Sequence, residues 1–189
     1  MGIEIELKAR VGNPQEIWSR IEKIGVFIGS IEKTDTYWFL DRVANPYGLR
    51  IREIKQVGHS GKLLCSTIAT YKNKEISDGI EINNEKEFEF FGIEEFEGFL
   101  ALSGYKKGIK KHKKGYSFIR DDILIELMDV PNLGWFVEIE IIAKDSKEET
   151  VETARKRLLN CLAKLEIPED AIEPMPYTKM LSENDPGSQ

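Results

Sequence analysis

Charged and aliphatic residues alternate with a period of two in one segment of this chain after another, and few folds tolerate that pattern. Glu4-Ile5-Glu6-Leu7-Lys8 is the first case. As an extended strand it sends Glu4, Glu6 and Lys8 to one face and Ile3, Ile5 and Leu7 to the other. Taken alone, such a strand reads as half-buried with a solvated charged face. The pattern returns, however. Arg50 and Arg52 share a face in Leu49–Arg52, as do Thr70 and Lys72 further on. Glu85, Glu87 and Glu89 oppose Phe88 and Phe90, and Glu138 and Glu140 repeat the two-carboxylate face within Gly134–Ile141.

The punctuation between strands is that of hairpins and short helices. Asn13-Pro14-Gln15-Glu16 carries a cap, a proline suited to the first helical position and the glutamate of a capping box. Ile17, Ile21 and Ile24 form the apolar stripe of the helix that follows, and Gly25 stops it. A strand is expected from Thr34 to Leu40, a turn at Asn45–Gly48, and a long strand from Leu63 to about Asn73 after the Gly58–Gly61 turn. Ile80–Phe91 reads as a strand. Ile93–Ser103 reads as a helix with Ile93, Phe96 and Leu100 inward and Gly104 at its end. Tyr105–Arg120 is a basic strand with six lysines between Lys106 and Lys114. Asp121-Asp122 turns the chain into a strand over Ile123–Met128, and Pro131-Asn132 turns it again. A second capping box, Ser146–Glu149, opens a helix on Val151, Ala154, Leu158, Leu162 and Leu165 that Pro168 terminates. Pro176–Leu181 is a last helical turn.

The expectation is an α+β fold of about eight mostly antiparallel strands with peripheral helices. A single domain spans residues 1–181, and 182–189 form a frayed tail. At 189 residues the chain is long enough for a sizeable core, and 41% hydrophobic with 32% charged residues is a globular composition. No apolar run reaches the roughly 20 residues of a membrane span, and the N-terminus lacks the layout of a signal peptide. Cys65 and Cys161 have no metal-ligand spacing and read as reduced, buried thiols, which points to the cytoplasm. A net charge of −6 gives no reason to expect nucleic acid as a partner. His59 and His112 are too isolated for a metal site, and neither a glycine-rich nucleotide loop nor a Ser/His/Asp arrangement is present.

Sorted by polar face, the strands offer the acids Glu4, Glu6, Glu87, Glu138 and Glu140 and the bases Lys8, Arg50, Arg52, Lys72, Lys111 and Lys113. If the sheet closes into a barrel, alternation turns all of them inward. Buried charge of both signs is costly without an occupant. A polyanion held by Lys and Arg, with a divalent metal held by carboxylates, is the natural one. The plainer reading makes the same rows the wet outer faces of a sheet, and periodicity alone leaves both open.

The order of motifs adds to this. Glu4-Ile5-Glu6-Leu7-Lys8 resembles the ExExK signature of the CYTH superfamily, the triphosphate tunnel metalloenzymes. Asp35-Thr36-Tyr37-Trp38-Phe39, Leu49–Arg52, Thr70-Tyr71-Lys72, the acidic Glu85–Glu89 strand, Lys111-His112-Lys113 with Tyr116, Leu133–Glu140 and Tyr177 with Leu181 follow in the family's order. The likeness runs from Ile3 to about Leu181. The LGxFxExE block at Leu133–Glu140 is its most specific part, and it is similar to the branch containing class IV adenylate cyclases.

The resemblance implies a closed eight-stranded antiparallel barrel whose tunnel binds a triphosphate and Mg²⁺ or Mn²⁺. It implies metal-side carboxylates at Glu4, Glu6, Glu138 and Glu140, and phosphate contacts from Lys8, Arg50, Arg52, Lys72, Lys111 and Lys113. Glu4, Glu6 and Lys8 would be the catalytic set, with Glu87 and Glu126 in support. Three positions depart from the family pattern. Lys113 stands where an arginine is usual, and Met128 stands where an aspartate is, with Glu126 on its face and Asp129 on the opposite one. Glu85 lies near the place of an expected arginine. The implied activity is conversion of ATP to cyclic AMP and pyrophosphate. Hydrolysis of inorganic or thiamine triphosphate is the alternative, and a non-catalytic triphosphate-binding module a third. The resemblance also suggests a homodimer, and no membrane partner is expected.

Overall fold

The computed structural model describes residues 2–40 and 48–184. Eight strands close a barrel: β1 (Ile3–Val11), β2 (Val26–Phe39), β3 (Leu49–Gly58), β4 (Leu63–Ser77), β5 (Ile80–Glu89), β6 (Lys106–Arg120), β7 (Ile123–Val130) and β8 (Gly134–Ala143). Their order around the barrel is β1-β5-β4-β3-β2-β6-β7-β8, and every neighbouring pair is antiparallel. Four α-helices lie outside it: α1 (Pro14–Glu22), α2 (Ile93–Leu102), α3 (Glu148–Lys164) and α4 (Tyr177–Glu183). The expected architecture is the one observed.

The apolar core lies outside the barrel wall. Ile5 and Leu7 of β1, Ile123, Ile125 and Leu127 of β7 and Val137, Ile139 and Ile141 of β8 point outward, away from the tunnel. They pack with Ile17 and Ile21 of α1 and with Ala154, Leu158, Leu162 and Leu165 of α3. Ile5 and Leu7 are wholly buried there. Because helices cover the aliphatic face, the alternate face of β1 and β8 can only be the barrel interior. This decides between the two readings of the charged rows. On the opposite side α2 covers Trp38 and Ile51 with Leu100 and half-buried Phe96 and Ile93.

Several local expectations differ from the structure. β2 begins at Val26, not Thr34, and contains a bulge between Phe27 and Gly29 that breaks the alternation. β4 runs to Ser77. Asn13 caps α1 with its side chain on the Glu16 amide at 3.4 Å, but the Glu16 carboxylate turns to Arg20 instead of closing the box. The second box is absent: α3 starts from Lys147 without a side-chain cap, and Asp145 accepts the Lys147 amide at 3.1 Å. Cys161 is buried, but Cys65 is exposed because it sits on the uncovered outer face of β4. α4 extends through Ser182 and Glu183, two residues past the expected start of the tail. Residues 45–47 of the expected turn and 185–189 of the tail lie outside the described residues. Among the described residues, no helix is long and apolar enough to cross a membrane.

Candidate active site in the barrel interior

The interior holds a cavity of about 260 Å³ lined mostly by charged residues. Every residue of the expected metal and phosphate sets lines it: Glu4, Glu6, Lys8, Arg50, Arg52, Lys72, Lys111, Lys113, Glu138 and Glu140. Register explains the convergence, since Glu6 pairs with Glu140 and Lys8 with Glu138 across β1 and β8.

Glu4, Glu6 and Glu140 each bring a carboxylate oxygen within 4.8 Å of the others. Burial, and then the charges of Glu4 and Glu6, push Glu140 up to about 8. Burial and Glu6 also raise Glu4, against the pull of Lys72. Burial works upward on Glu6 too, but Lys72, a hydrogen bond with Glu81, Lys74 and Lys113 outweigh it and hold the carboxyl well below the usual range. Lys72 is the cation of this end of the cavity, with Nζ 2.9 Å from Glu4, 3.9 Å from Glu6 and 2.6 Å from Glu85. Asn83 Nδ2 donates to the same Glu4 oxygen at 2.8 Å.

The basic wall is organised by acids that the sequence reading did not assign. Asp35, wholly buried, accepts both Arg52 nitrogens at 2.6 and 2.9 Å and lies 2.9 Å from Lys111. Burial opposes its charge, yet Arg52 and Lys111 keep it well below the ordinary aspartate range. Glu81 holds Lys8 at 3.2 Å and also pairs with Lys74. Arg50 donates to Thr70 at 3.1 Å, and Thr70 donates to Glu87 at 3.3 Å, so Thr70 links Glu87 to Arg50.

Glu138 is turned differently from its expected metal-side partners. It pairs with Lys113 and accepts the Tyr177 hydroxyl at 2.8 Å. Burial opposes its charge, but Lys113 outweighs it and brings the carboxyl down to about 2. Burial, with Lys33 and Lys111 nearby, lowers Lys113 to about 8. Glu126 faces the cavity as expected, but Lys33 takes both of its oxygens at 2.7 Å and Ser117 donates at 3.2 Å. Met128 shares that face and is fully buried opposite Phe136. The Tyr177 ring, from α4, stands edge-on to Phe136 with Lys8, Lys111 and Lys113 5.2 to 5.9 Å from its centre.

Of the site residues that the sequence reading left without a role, Glu81 and Asn83 had a legible signal in the Ile80–Asn83 alternation. Lys33 had none, because it lies upstream of the expected strand. His59 and His112 lie away from the cavity, beside the Phe27 carbonyl and Glu32.

The family model for the CYTH domain matches residues 2–175. The chain belongs to the CYTH family. CYTH proteins are metal-dependent, and typically act on triphosphates bound in a barrel of this kind. No curated protein sequence gives a significant match. Among solved structures, the PH1819 protein of Pyrococcus horikoshii is 24% identical with a TM-score of 0.82, over 96% of this chain and 99% of that one. A putative adenylate cyclase from Vibrio parahaemolyticus is 19% identical with a TM-score of 0.77, over 95% and 98%. A putative adenylyl cyclase of Hippeastrum, described as having a dominant triphosphatase activity, is 12% identical with a TM-score of 0.60, over 96% and 94%. At these identities the likeness is one of fold.

The donors of this CYTH protein suit the family's metal. Glu4, Glu6 and Glu140 are an all-oxygen set of the kind hard divalent ions take. Glu140 is raised first by burial and then by the charges of Glu4 and Glu6, both of which a bound cation would offset.

Proposed function

We propose that this CYTH protein is an enzyme that acts on the triphosphate group of its substrate with Mg²⁺ or Mn²⁺. The observation carrying this reading is the convergence of three carboxylates within 4.8 Å on the wall of a cavity otherwise rich in Lys and Arg. Glu4, Glu6 and Glu140 would hold the metal. When bound, it would neutralise charge on phosphate oxygens and lower the pKa of the attacking oxygen. Arg50 and Arg52 match phosphate oxygens through their planar guanidinium groups, and Lys8, Lys72, Lys111 and Lys113 act as point charges. Asp35 and Glu81 keep these cations aimed in advance, so little reorganisation accompanies charge development on the phosphoryl group. Glu138 would anchor Lys113 and Tyr177 ahead of any contact with metal.

The first reading of the reaction is that of a class IV adenylate cyclase: the ATP 3′-hydroxyl attacks the α-phosphorus and pyrophosphate leaves. Tyr37, Pro176 and Tyr177 on the cavity wall supply surface for the organic group. Hydrolysis of the terminal phosphate of a triphosphate is the second reading. It is favoured by a wall on which charged side chains greatly outnumber the few uncharged ones that could meet a base. One assay separates them. Purified protein is incubated with ATP or tripolyphosphate, each with Mg²⁺ or Mn²⁺, and cyclic AMP is resolved from orthophosphate. Cyclic AMP as the main product supports the cyclase, and orthophosphate the hydrolase. No product from either substrate leaves a binding module and overturns the enzymatic reading.

A further inference from the structure

Helix α2 is apolar on two faces, and the fold uses one of them. Leu100, Phe96 and Ile93 pack on Trp38 and Ile51. On the far side Phe99 is 62% and Leu102 92% exposed, flanked by Phe91 at 95% and Phe88 at 57%. Phe88, Phe96 and Phe99 are continuous, with ring centres 6.2 and 6.3 Å apart. At about 200 Å² for a large side chain, the four exposed residues present roughly 600 Å². That is the upper end for a monomer's largest apolar patch, and most of the ~800 Å² per partner of a standard interface.

Gly98 borders this face, one turn before Leu102. Glycine is the worst helix former after proline. Here it has ordinary helical geometry, and a Cβ would meet nothing within 4 Å. Among the described residues nothing therefore calls for glycine here, whereas close approach of a second backbone does. Charge is arranged in the matching sense. Glu94 and Glu95 open the helix, and the lysine-rich start of β6, beginning at Lys106, follows its end. Lys107 is held by Glu97 of the same chain, and two copies of α2 packed antiparallel bring Glu94 and Glu95 of each towards the lysine-rich start of β6 in the other.

We propose that α2 is the contact face of a two-fold homodimer, with the two helices crossing at Gly98. Such an isologous contact has to be self-complementary, and an apolar face with an acidic start and a basic end meets that requirement. The test is sedimentation velocity on the full chain over a dilution series, with circular dichroism to verify folding. The wild type is expected at twice the chain mass, and Leu102→Lys and Phe99→Lys at the chain mass with an unchanged spectrum. Gly98→Ala discriminates further. An added methyl at an open helical position should raise the melting temperature at concentrations where the protein is monomeric, yet weaken dimerisation by about tenfold or more. A monomeric wild type at the highest concentration overturns the proposal. So does a dimer that survives Leu102→Lys and Gly98→Ala unchanged, since its interface must then lie elsewhere.

Discussion

Glu6 and Lys8 stand two residues apart on one strand face, and their surroundings separate their roles. Glu6 belongs to the carboxylate trio, whereas Lys8 is held by Glu81 across the β1–β5 seam. Neither contributes to the apolar core, which lies on the other side of β1. Glu6→Gln and Lys8→Ala are therefore expected to lower turnover of the preferred triphosphate by at least about 10²-fold, as loss of a charge-stabilising group does. The far-ultraviolet circular dichroism should stay that of the wild type. Near-normal turnover in either variant would remove β1 from the site. The alternation in the sequence makes Glu4, Glu6, Glu138 and Glu140 legible as one set. It does not reveal that Glu138 faces Lys113 and Tyr177, because that depends on α4 returning to the barrel from the far end of the chain.

At the scale of elements, period-2 alternation shows which residues share a face but not which face is inside. That is settled by α1 and α3, whose apolar stripes occupy the aliphatic side of β1, β7 and β8. The expected strand at Thr34–Leu40 takes in Asp35 but not Lys33, because the first half of β2, with its bulge at Phe27/Gly29, lacks a clean alternation from its start. The seam between β6 and β7 depends on a detail invisible to patterning. A Cβ at Gly115 would overlap the Leu127 carbonyl, and its nearest neighbours are backbone atoms that cannot swing away. Gly115→Ala should cost about 1–3 kcal/mol by overpacking, read as a lower urea midpoint with an unchanged slope. A wild-type midpoint would mean that the two strands can part without loss.

For the whole molecule, the concentration of acids in the tunnel predicts how stability varies with pH. The Glu140 carboxyl sits near 8 in the folded protein against an ordinary 4.5. Between those values the folded state binds the extra proton, so stability falls as pH rises through this window. Glu138, at about 2, has the opposite sign: its contribution is present above about 4.5 and is lost as pH falls towards 2. Lys113, lowered to about 8, regains stability only above that value, so metal-free protein should melt lower at pH 7.5 than at pH 5.5, and Glu140→Gln should flatten that difference. The gain for the variant at the higher pH is on the order of 1–3 kcal/mol after screening within the charged cavity. A melting temperature for Glu140→Gln that follows the wild type across this range would refute the assignment of strain to Glu140.

Ring closure has a consequence for how the chain comes off the ribosome. β1 precedes the other seven barrel strands in the sequence, yet it lies between β5 and β8, and its pairing with β8 extends to Ala143. Ile5 and Leu7 wait longer still, because α3 ends at Lys164. β5 offers a partner to one edge of β1 early, but the other edge and the sticky aliphatic face stay open until β8 and α3 follow, which is the slow, long-range kind of folding. The carboxylates of β1 and β8 come together only in that last step, so the cavity chemistry and the completed barrel should appear at the same moment during refolding.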